Sequence, residues 1–214
     1  MRAVLLSCGI LSSLLYAVGD VYRGVRYPGY SFASQTISEL SAIGAPSPRL
    51  SLALGVAYDA LLIAFGFGVL RSAEEKRGLR IVGILFVAFG ITGFAWIFAP
   101  MQQRGAEMAL TDVMHIALSI LSIVFFFAIL GYGSMALGAR FRLYSIATIL
   151  TVVVFGGLTF LGGLRLAANQ PTPWLGVHER IMLYAFMLWV AVLAIALVQE
   201  PERLAIEGRG TEAS

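Results

Sequence analysis

The chain has 214 residues, of which 59% are hydrophobic and 13% are charged, and its formal net charge is +3. Soluble domains carry about 25% charged residues, and a soluble fold of this size leaves roughly 30% of its chain surface in water. The composition therefore excludes an ordinary soluble domain and indicates an integral membrane protein. The basic residues are scattered between apolar runs and form no basic face, so we expect no nucleic-acid partner.

Six apolar runs are long enough to cross a bilayer, which takes about 20 residues. We predict an all-α, polytopic integral membrane protein in which six transmembrane helices form one domain over residues 1–200. The polar tail over residues 201–214 is expected to be disordered. The six runs cover residues 3–21, 50–70, 81–99, 112–135, 143–164 and 173–198.

The first run contains Cys8, the only cysteine, so an intrachain disulfide is excluded. Only about five apolar residues precede Cys8, too few for the apolar core of a signal peptide. The run continues to Val21, and we interpret it as a retained helix. Asp20 lies near its end, on a stripe of small and polar residues expected to face the bundle interior.

The long connection after the first helix contains a helix-start signal. Thr36 and Glu39 have the spacing of a capping box, in which each side chain binds the backbone N–H of the other residue. Gly44 supplies a stop signal. We predict a short helix near residues 36–44 at the outer surface, with three apolar residues facing inward: Ile37, Leu40 and Ile43.

Asp59 is the deepest ionisable residue of the second helix. It lies eight residues after Ser51, or about 12 Å along the helix axis. Carboxylates inside a membrane usually bind, catalyse or carry protons. The alternative is a structural aspartate that is hydrogen-bonded to Ser, Tyr or a buried Arg, and the sequence leaves both interpretations open. Ser47 and Pro48 are expected to cap this helix.

The fourth and sixth helices carry the two histidines of the chain. Thr111 and Asp112 are expected to cap the fourth helix, and Asp112 and His115 share one face at i, i+3. With His178 they could supply one oxygen and two nitrogens to a zinc-like metal. No HExxH-like signature accompanies them, and two ordinary hydrogen-bonded histidines are the alternative. We therefore assign no metal, and the sequence identifies no cofactor.

The basic residues of the loops predict orientation, because cytoplasmic loops are enriched in Lys and Arg. With both termini in the cytoplasm, nine of the fifteen lie inside and six outside. We expect a multi-pass protein of the cytoplasmic (cell) membrane. The nine are Arg2, Arg71, Lys76, Arg77, Arg80, Arg140, Arg142, Arg203 and Arg209.

Several segments resemble a known family. They are Pro28-Gly29-Tyr30-Ser31, Thr36 to Ser41, Gly44 to Pro48, and Gly176-Val177-His178-Glu179-Arg180. Together they are similar to the bacterial and archaeal membrane proteins known as domain of unknown function 998. The resemblance implies six helices and no established activity. A more distant similarity to DRAM-type membrane proteins suggests a connection with lipids by analogy.

Ionisable residues in the outer half of the bundle are the candidate ligand-binding residues. We predict an outward-facing polar pocket that binds a lipid headgroup or small amphiphile, with Arg165 or Arg180 holding an anionic group and Asp59 and Asp112 orienting it. Its partners would be membrane lipids. The alternatives are a membrane-embedded hydrolase or lipid-modifying enzyme, with or without a metal, a proton-coupled transporter, and a structural partner-binding protein. The candidates are Asp20, Glu39, Asp59, Asp112, His115, Arg165, His178, Glu179 and Arg180.

Overall fold

The structure is a computed structural model that describes residues 1–74 and 76–212, with side chains described up to residue 199. Six helices are long and apolar enough to cross a membrane, which confirms the predicted number. Two short 3-10 helices, Ser38–Ser41 and Phe94–Phe98, accompany them. The helices are α1 (Arg2–Arg26), α2 (Pro48–Ser72), α3 (Arg77–Gly93), α4 (Leu110–Gly133), α5 (Ala139–Ala167) and α6 (Leu175–Glu212).

Each helix packs against the next one along the chain, and α6 closes the bundle by packing against α1. The three longer connections, residues 27–47, 99–109 and 168–174, therefore lie together at one end, which we call the loop end. The short turns and the N-terminus lie at the opposite end. Which end faces the cytoplasm stays a prediction.

The half of the bundle near the opposite end is filled by apolar and aromatic side chains. Phe126 stacks on Phe186 with ring centroids 3.8 Å apart. Trp189 is fully buried, and its indole N–H donates to Ser145 Oγ at 2.8 Å. Gly133 makes room for it, since a Cβ there would lie 2.5 Å from the indole ring. This packing holds α3, α4, α5 and α6 together and leaves the loop end to the polar residues.

The predicted cap of the fourth helix is wrong by two residues. Helix α4 begins at Leu110 with Ala109 as its N-cap residue, and the Thr111 hydroxyl is buried without a hydrogen-bond partner in the described part of the chain. Asp112 instead accepts the backbone N–H of Ala109 at 2.8 Å, so the carboxylate caps the helix from its first turn. Ser47 is the N-cap residue of α2, as expected, but its side chain makes no capping hydrogen bond.

The polar tail continues α6 rather than leaving it. Only the Leu175–Gln199 part of α6 is apolar enough to cross a membrane, while the helix is assigned to Glu212. The disorder expected over residues 201–214 stays a prediction, because residues 213 and 214 and the side chains after residue 199 lie outside the described part of the chain.

Candidate functional site

The connection between α1 and α2, residues 27–47, folds over the loop end, and we call it the cap. Its capping box is confirmed: the Thr36 backbone N–H donates to Glu39 Oε2 at 2.7 Å, and the Glu39 N–H donates to Thr36 Oγ1 at 3.3 Å. The predicted helix is a single 3-10 turn, Ser38–Ser41. Gly44 follows at φ +87°, in the left-handed region that favours glycine.

Two of the three apolar residues of this segment face inward as predicted. Ile37 and Leu40 are buried, with 3% and 2% of their surface exposed. Ile43 is 46% exposed, so the prediction for it is wrong. The reason is that the 3-10 turn ends at Ala42, whose backbone is extended, and the helical spacing no longer applies beyond it.

Beneath the cap, Asp20 of α1 forms a buried ion pair with Arg180 of α6. Arg180 Nε donates to Asp20 Oδ2 and Nη2 donates to Oδ1, both at 2.9 Å. The Tyr184 hydroxyl donates to the same carboxylate. Asp20 is fully buried, so this two-pronged pairing replaces the water that its charge would otherwise need.

The remaining donors of Arg180 bind the cap and one carbonyl of its own helix. Nη1 donates to the backbone carbonyls of Phe32 at 2.9 Å, Gln35 at 3.0 Å and Gly176 at 3.1 Å, and Nη2 donates to the Tyr30 hydroxyl at 2.6 Å. A guanidinium has five N–H donors, and all five are engaged here. Arg180 is therefore committed to the protein's own cap rather than free to hold an anionic group of a ligand.

Tyr30 completes this arrangement from the cap side. Its hydroxyl donates to the Thr36 carbonyl at 2.7 Å while accepting from Arg180. Burial raises the pKa of Tyr30, so the hydroxyl keeps its proton and remains a donor at any physiological pH.

A second ion pair joins the cap to the connection between α3 and α4. Arg104, in the connection between α3 and α4, donates to both carboxylate oxygens of Glu39. It also donates to Thr172 Oγ1 at 2.7 Å and to the Ser34 carbonyl. Three connections are thereby joined through one side chain. Sequence reasoning missed Arg104 and Thr172 as functional residues. The signal for Arg104 was that an inward-facing Glu39 requires a nearby cation.

Glu179 of α6 binds the backbone of the cap. It is 8% exposed, and its Oε2 accepts the backbone N–H of Ile37 at the start of the 3-10 turn. The structure thus brings four of the predicted site residues together around the cap. Asp20 pairs with Arg180, Glu39 pairs with Arg104, and Glu179 accepts a backbone N–H. The four predicted residues are Asp20, Glu39, Glu179 and Arg180.

The other polar candidates of α4 serve the 99–109 connection. Asp112 accepts the backbone N–H groups of Gln102 at 2.7 Å and Ala109 at 2.8 Å. His115 Nδ1 lies 2.9 Å from the Ala99 carbonyl oxygen, and its ring meets Trp96 edge-on. Each oxygen of the Asp112 carboxylate therefore already accepts a backbone N–H, which holds the 99–109 connection against the start of α4.

His178 and Arg165 lie apart from these groups. The His178 ring packs against Phe155, with centroids 6.0 Å apart, and Arg165 is exposed at the end of α5. Among the described side chains, residues 1–74 and 76–199, no three His, Cys, Asp or Glu residues are grouped so that they could hold a metal ion. The metal candidates Asp112, His115 and His178 are thus not brought together.

Asp59 differs from all of these residues. It is the twelfth of the 25 residues of α2 and is 7% exposed, yet its carboxylate accepts no hydrogen bond from any residue that the structure describes. The carboxylate occupies the space left by Gly93 of α3, where a Cβ would lie 2.0 Å from Asp59 Oδ1. Gly93 is also where α3 changes to the 3-10 helix Phe94–Phe98.

Two tyrosines lie in the same half of the bundle as Asp59: Tyr16, which belongs to the small and polar stripe predicted on α1, and Tyr58, which sequence reasoning did not single out. Tyr58 precedes Asp59 on α2, and its ring centroid is 5.2 Å from that of Tyr16 on α1. Neither hydroxyl is hydrogen-bonded to a described residue. The described residues therefore supply no hydrogen bond to the hydroxyls of Tyr16 and Tyr58 or to the Asp59 carboxylate.

Two cavities lie away from Asp59. A groove of about 180 Å³ between α1 and α6 is almost wholly apolar, and a polar cavity of about 50 Å³ opens beside Glu39 and Arg104 in the cap. Neither is lined by Asp59. The polar cavity gives water a way to reach the edge of the cap.

Six apolar helices in one bundle, with a polar cap at one end, define a multi-pass membrane protein. The chain belongs to the family described as "Protein of unknown function (DUF998)", whose model matches residues 10–196. This confirms the resemblance seen in the sequence, while the more distant similarity to DRAM-type proteins stays a prediction. Comparison with the curated proteins and with the solved structures gave no match.

Proposed function

We propose that the protein binds a small amphiphile or lipid beneath the cap, with the polar head of the ligand at Asp59. The observation on which this proposal rests is that Asp59 is a buried carboxylate without a hydrogen-bond partner among the described residues. An isolated carboxylate in an apolar medium is strongly unfavourable, so it must take up a proton or meet a donor from outside the protein. A ligand head group is such a donor.

The chemistry of the head group follows from which residues are already engaged. Arg180 and Asp112 use their polar atoms within the protein, so a phosphate held by Arg180 and oriented by Asp112 has no support. Asp59 is an acceptor. It favours a head group that donates, such as an amine, an ammonium or a hydroxyl group. Because Asp59 lies midway along an apolar helix, the rest of the ligand is expected to be aliphatic.

The test is to compare bound amphiphiles in three proteins extracted with their surrounding lipid: wild type, Asp59→Asn and Asp112→Asn. Mass spectrometry should find an amine- or hydroxyl-bearing amphiphile in the wild type that is reduced roughly 10-fold or more in Asp59→Asn, because a hydrogen bond to a charged group contributes about 1.5–3 kcal/mol. Asp112→Asn is the matched control and should retain the ligand. Equal amounts in all three proteins would defeat the proposal.

The outward direction of the cap is part of this proposal and has its own test. In a Cys8→Ser background, a cysteine at the exposed position Ile43 of the cap should react with an impermeant thiol reagent added to intact cells. A cysteine at the exposed position Ala139, at the opposite end, should react only after the cells are opened. The reverse pattern would place the cap in the cytoplasm.

A further inference from the structure

The end of the bundle opposite the cap presents a basic surface. Helices α3 and α5 both begin there, and each carries two exposed arginines in its first turn, Arg77 and Arg80 on α3 and Arg140 and Arg142 on α5. Neither first turn contains an acidic residue, and neither N-cap residue makes a side-chain capping hydrogen bond. The N-terminus of a helix carries a partial positive charge, so arginines placed there are unfavourable unless an anion lies beside them.

The described residues do not supply that anion. Arg80 donates to the backbone carbonyl of Glu74 at 2.8 Å, while Arg77, Arg140 and Arg142 form no hydrogen bond or ion pair with a described residue. Among the described side chains, Glu74 is the only acidic one at this end. Three exposed guanidinium groups therefore keep their N–H donors for an acceptor from outside the described protein.

The two first turns meet around one buried side chain, the indole of Trp189. Its ring centroid is 5.5 Å from that of Phe141, which lies within the first turn of α5. A Cβ at Gly133 would lie 2.5 Å from the same indole and 3.7 Å from Val82, which follows the first turn of α3. The arginines of α3 and α5 therefore belong to one surface, built on a rigid part of the core.

The surroundings of the arginines identify the kind of anion. Each first turn is the end of a helix that can span a membrane, so it lies at the level of the lipid headgroups. Directly after the arginines, apolar side chains are exposed on both helices: Ile84 on α3, and Leu143 and Ile146 on α5. A molecule that contacts both groups needs an anionic head and aliphatic chains.

We infer that the first turns of α3 and α5 bind the headgroup of an anionic phospholipid. The guanidinium groups of Arg77, Arg140 and Arg142 donate to its phosphate oxygens, an arrangement that suits the planar fork of arginine. The lipid chains lie along the exposed apolar side chains. A zwitterionic lipid offers the same phosphate but adds a cation, which a basic surface disfavours. This inference goes beyond the proposed function, because the surface lies at the other end of the bundle from the cap.

The test is native mass spectrometry of the purified protein in detergent with equal amounts of phosphatidylglycerol and phosphatidylcholine. The wild type should retain phosphatidylglycerol in preference. We expect the triple variant Arg77→Gln, Arg140→Gln and Arg142→Gln to lower that preference at least 10-fold, because each basic residue near an anionic lipid surface contributes about a fivefold preference. All three positions are exposed and make no bond to a described residue, so the variant should fold.

The matched control removes the same charge from three exposed arginines at the loop end, Arg26→Gln, Arg49→Gln and Arg165→Gln, and should keep the preference. An equal loss in this control would mean that net charge alone attracts the lipid, and would overturn the inference. So would a wild type without a preference, or displacement of its phosphatidylglycerol by an excess of inorganic phosphate. Asp59→Asn should retain phosphatidylglycerol, so a failure here can be told apart from a failure of the proposed ligand binding.

Discussion

Asp20 and Asp59 are both buried aspartates in the loop-end half of neighbouring helices, but their surroundings are opposite. Asp20 is fully buried and accepts two hydrogen bonds from Arg180 and one from Tyr184. Asp59 is almost as buried and accepts none from the described residues. Burial of a carboxylate in a membrane protein therefore does not by itself indicate a functional role. The partners of the carboxylate distinguish the two cases.

The difference extends to the regions that contain them. Around Asp20, the cap, α1 and α6 are joined by a network in which every donor of Arg180 has an acceptor, and such a network holds backbone segments in place. Around Asp59, the described residues offer no hydrogen-bond partner to the carboxylate. The first region therefore holds the cap in place, and the second is the region where we propose that a ligand binds.

The largest effect is expected from Asp20→Asn. Removing one member of a buried ion pair leaves the other charge without compensation, which destabilises proteins by about 3–5 kcal/mol. We expect a loss of that order in the free energy of unfolding, measured by thermal or denaturant unfolding in detergent. The combination of Asp20→Asn with Arg180→Gln should recover part of it, because both charges are then removed. If Asp20→Asn alone were as stable as the wild type, Asp20 would not differ from Asp59 in the way described.

A smaller effect is expected from Arg104→Ala. Arg104 keeps 30% of its side chain exposed, so solvent weakens its pairing with Glu39. The buried Glu39 carboxylate nevertheless loses a charged donor, and we expect a loss of about 1–2 kcal/mol together with faster proteolysis within residues 27–47. Arg49→Ala, at an exposed position just after the cap, is the control and should change stability by less than about 0.5 kcal/mol. Equal proteolysis of both variants would show that the cap does not depend on Arg104.

The helices and the capping box could be predicted from the sequence because both depend on local patterns. Six apolar runs of membrane length can form little other than six helices in lipid, and the capping box joins residues three positions apart. The prediction for Ile43 was wrong because it extended helical spacing beyond a turn that ends at Ala42. The start of α4 shifted because Asp112 caps the helix from within its first turn.

The partners of the charged residues could not be predicted in this way. Asp20 and Arg180 are 160 residues apart in the chain, and Arg104 and Glu39 are 65 apart. The stripe on α1 indicated that Asp20 faces the interior, but six basic residues at the predicted outer side were candidate partners. The sequence therefore identified the residues beneath the cap without showing that Arg180 was committed to Asp20. The sequence also could not predict that Asp59 has no hydrogen-bond partner among the described residues.

The most direct test of the contrast is the change in unfolding free energy caused by Asp59→Asn. Asparagine keeps the shape of the side chain and removes only a charge for which the described residues offer no hydrogen bond. We therefore predict that the stability of the ligand-free protein stays within about 1 kcal/mol of wild type, measured under the same conditions as Asp20→Asn. A loss of about 3 kcal/mol or more, similar to that of a broken buried ion pair, would contradict the account and make Asp59 a structural residue.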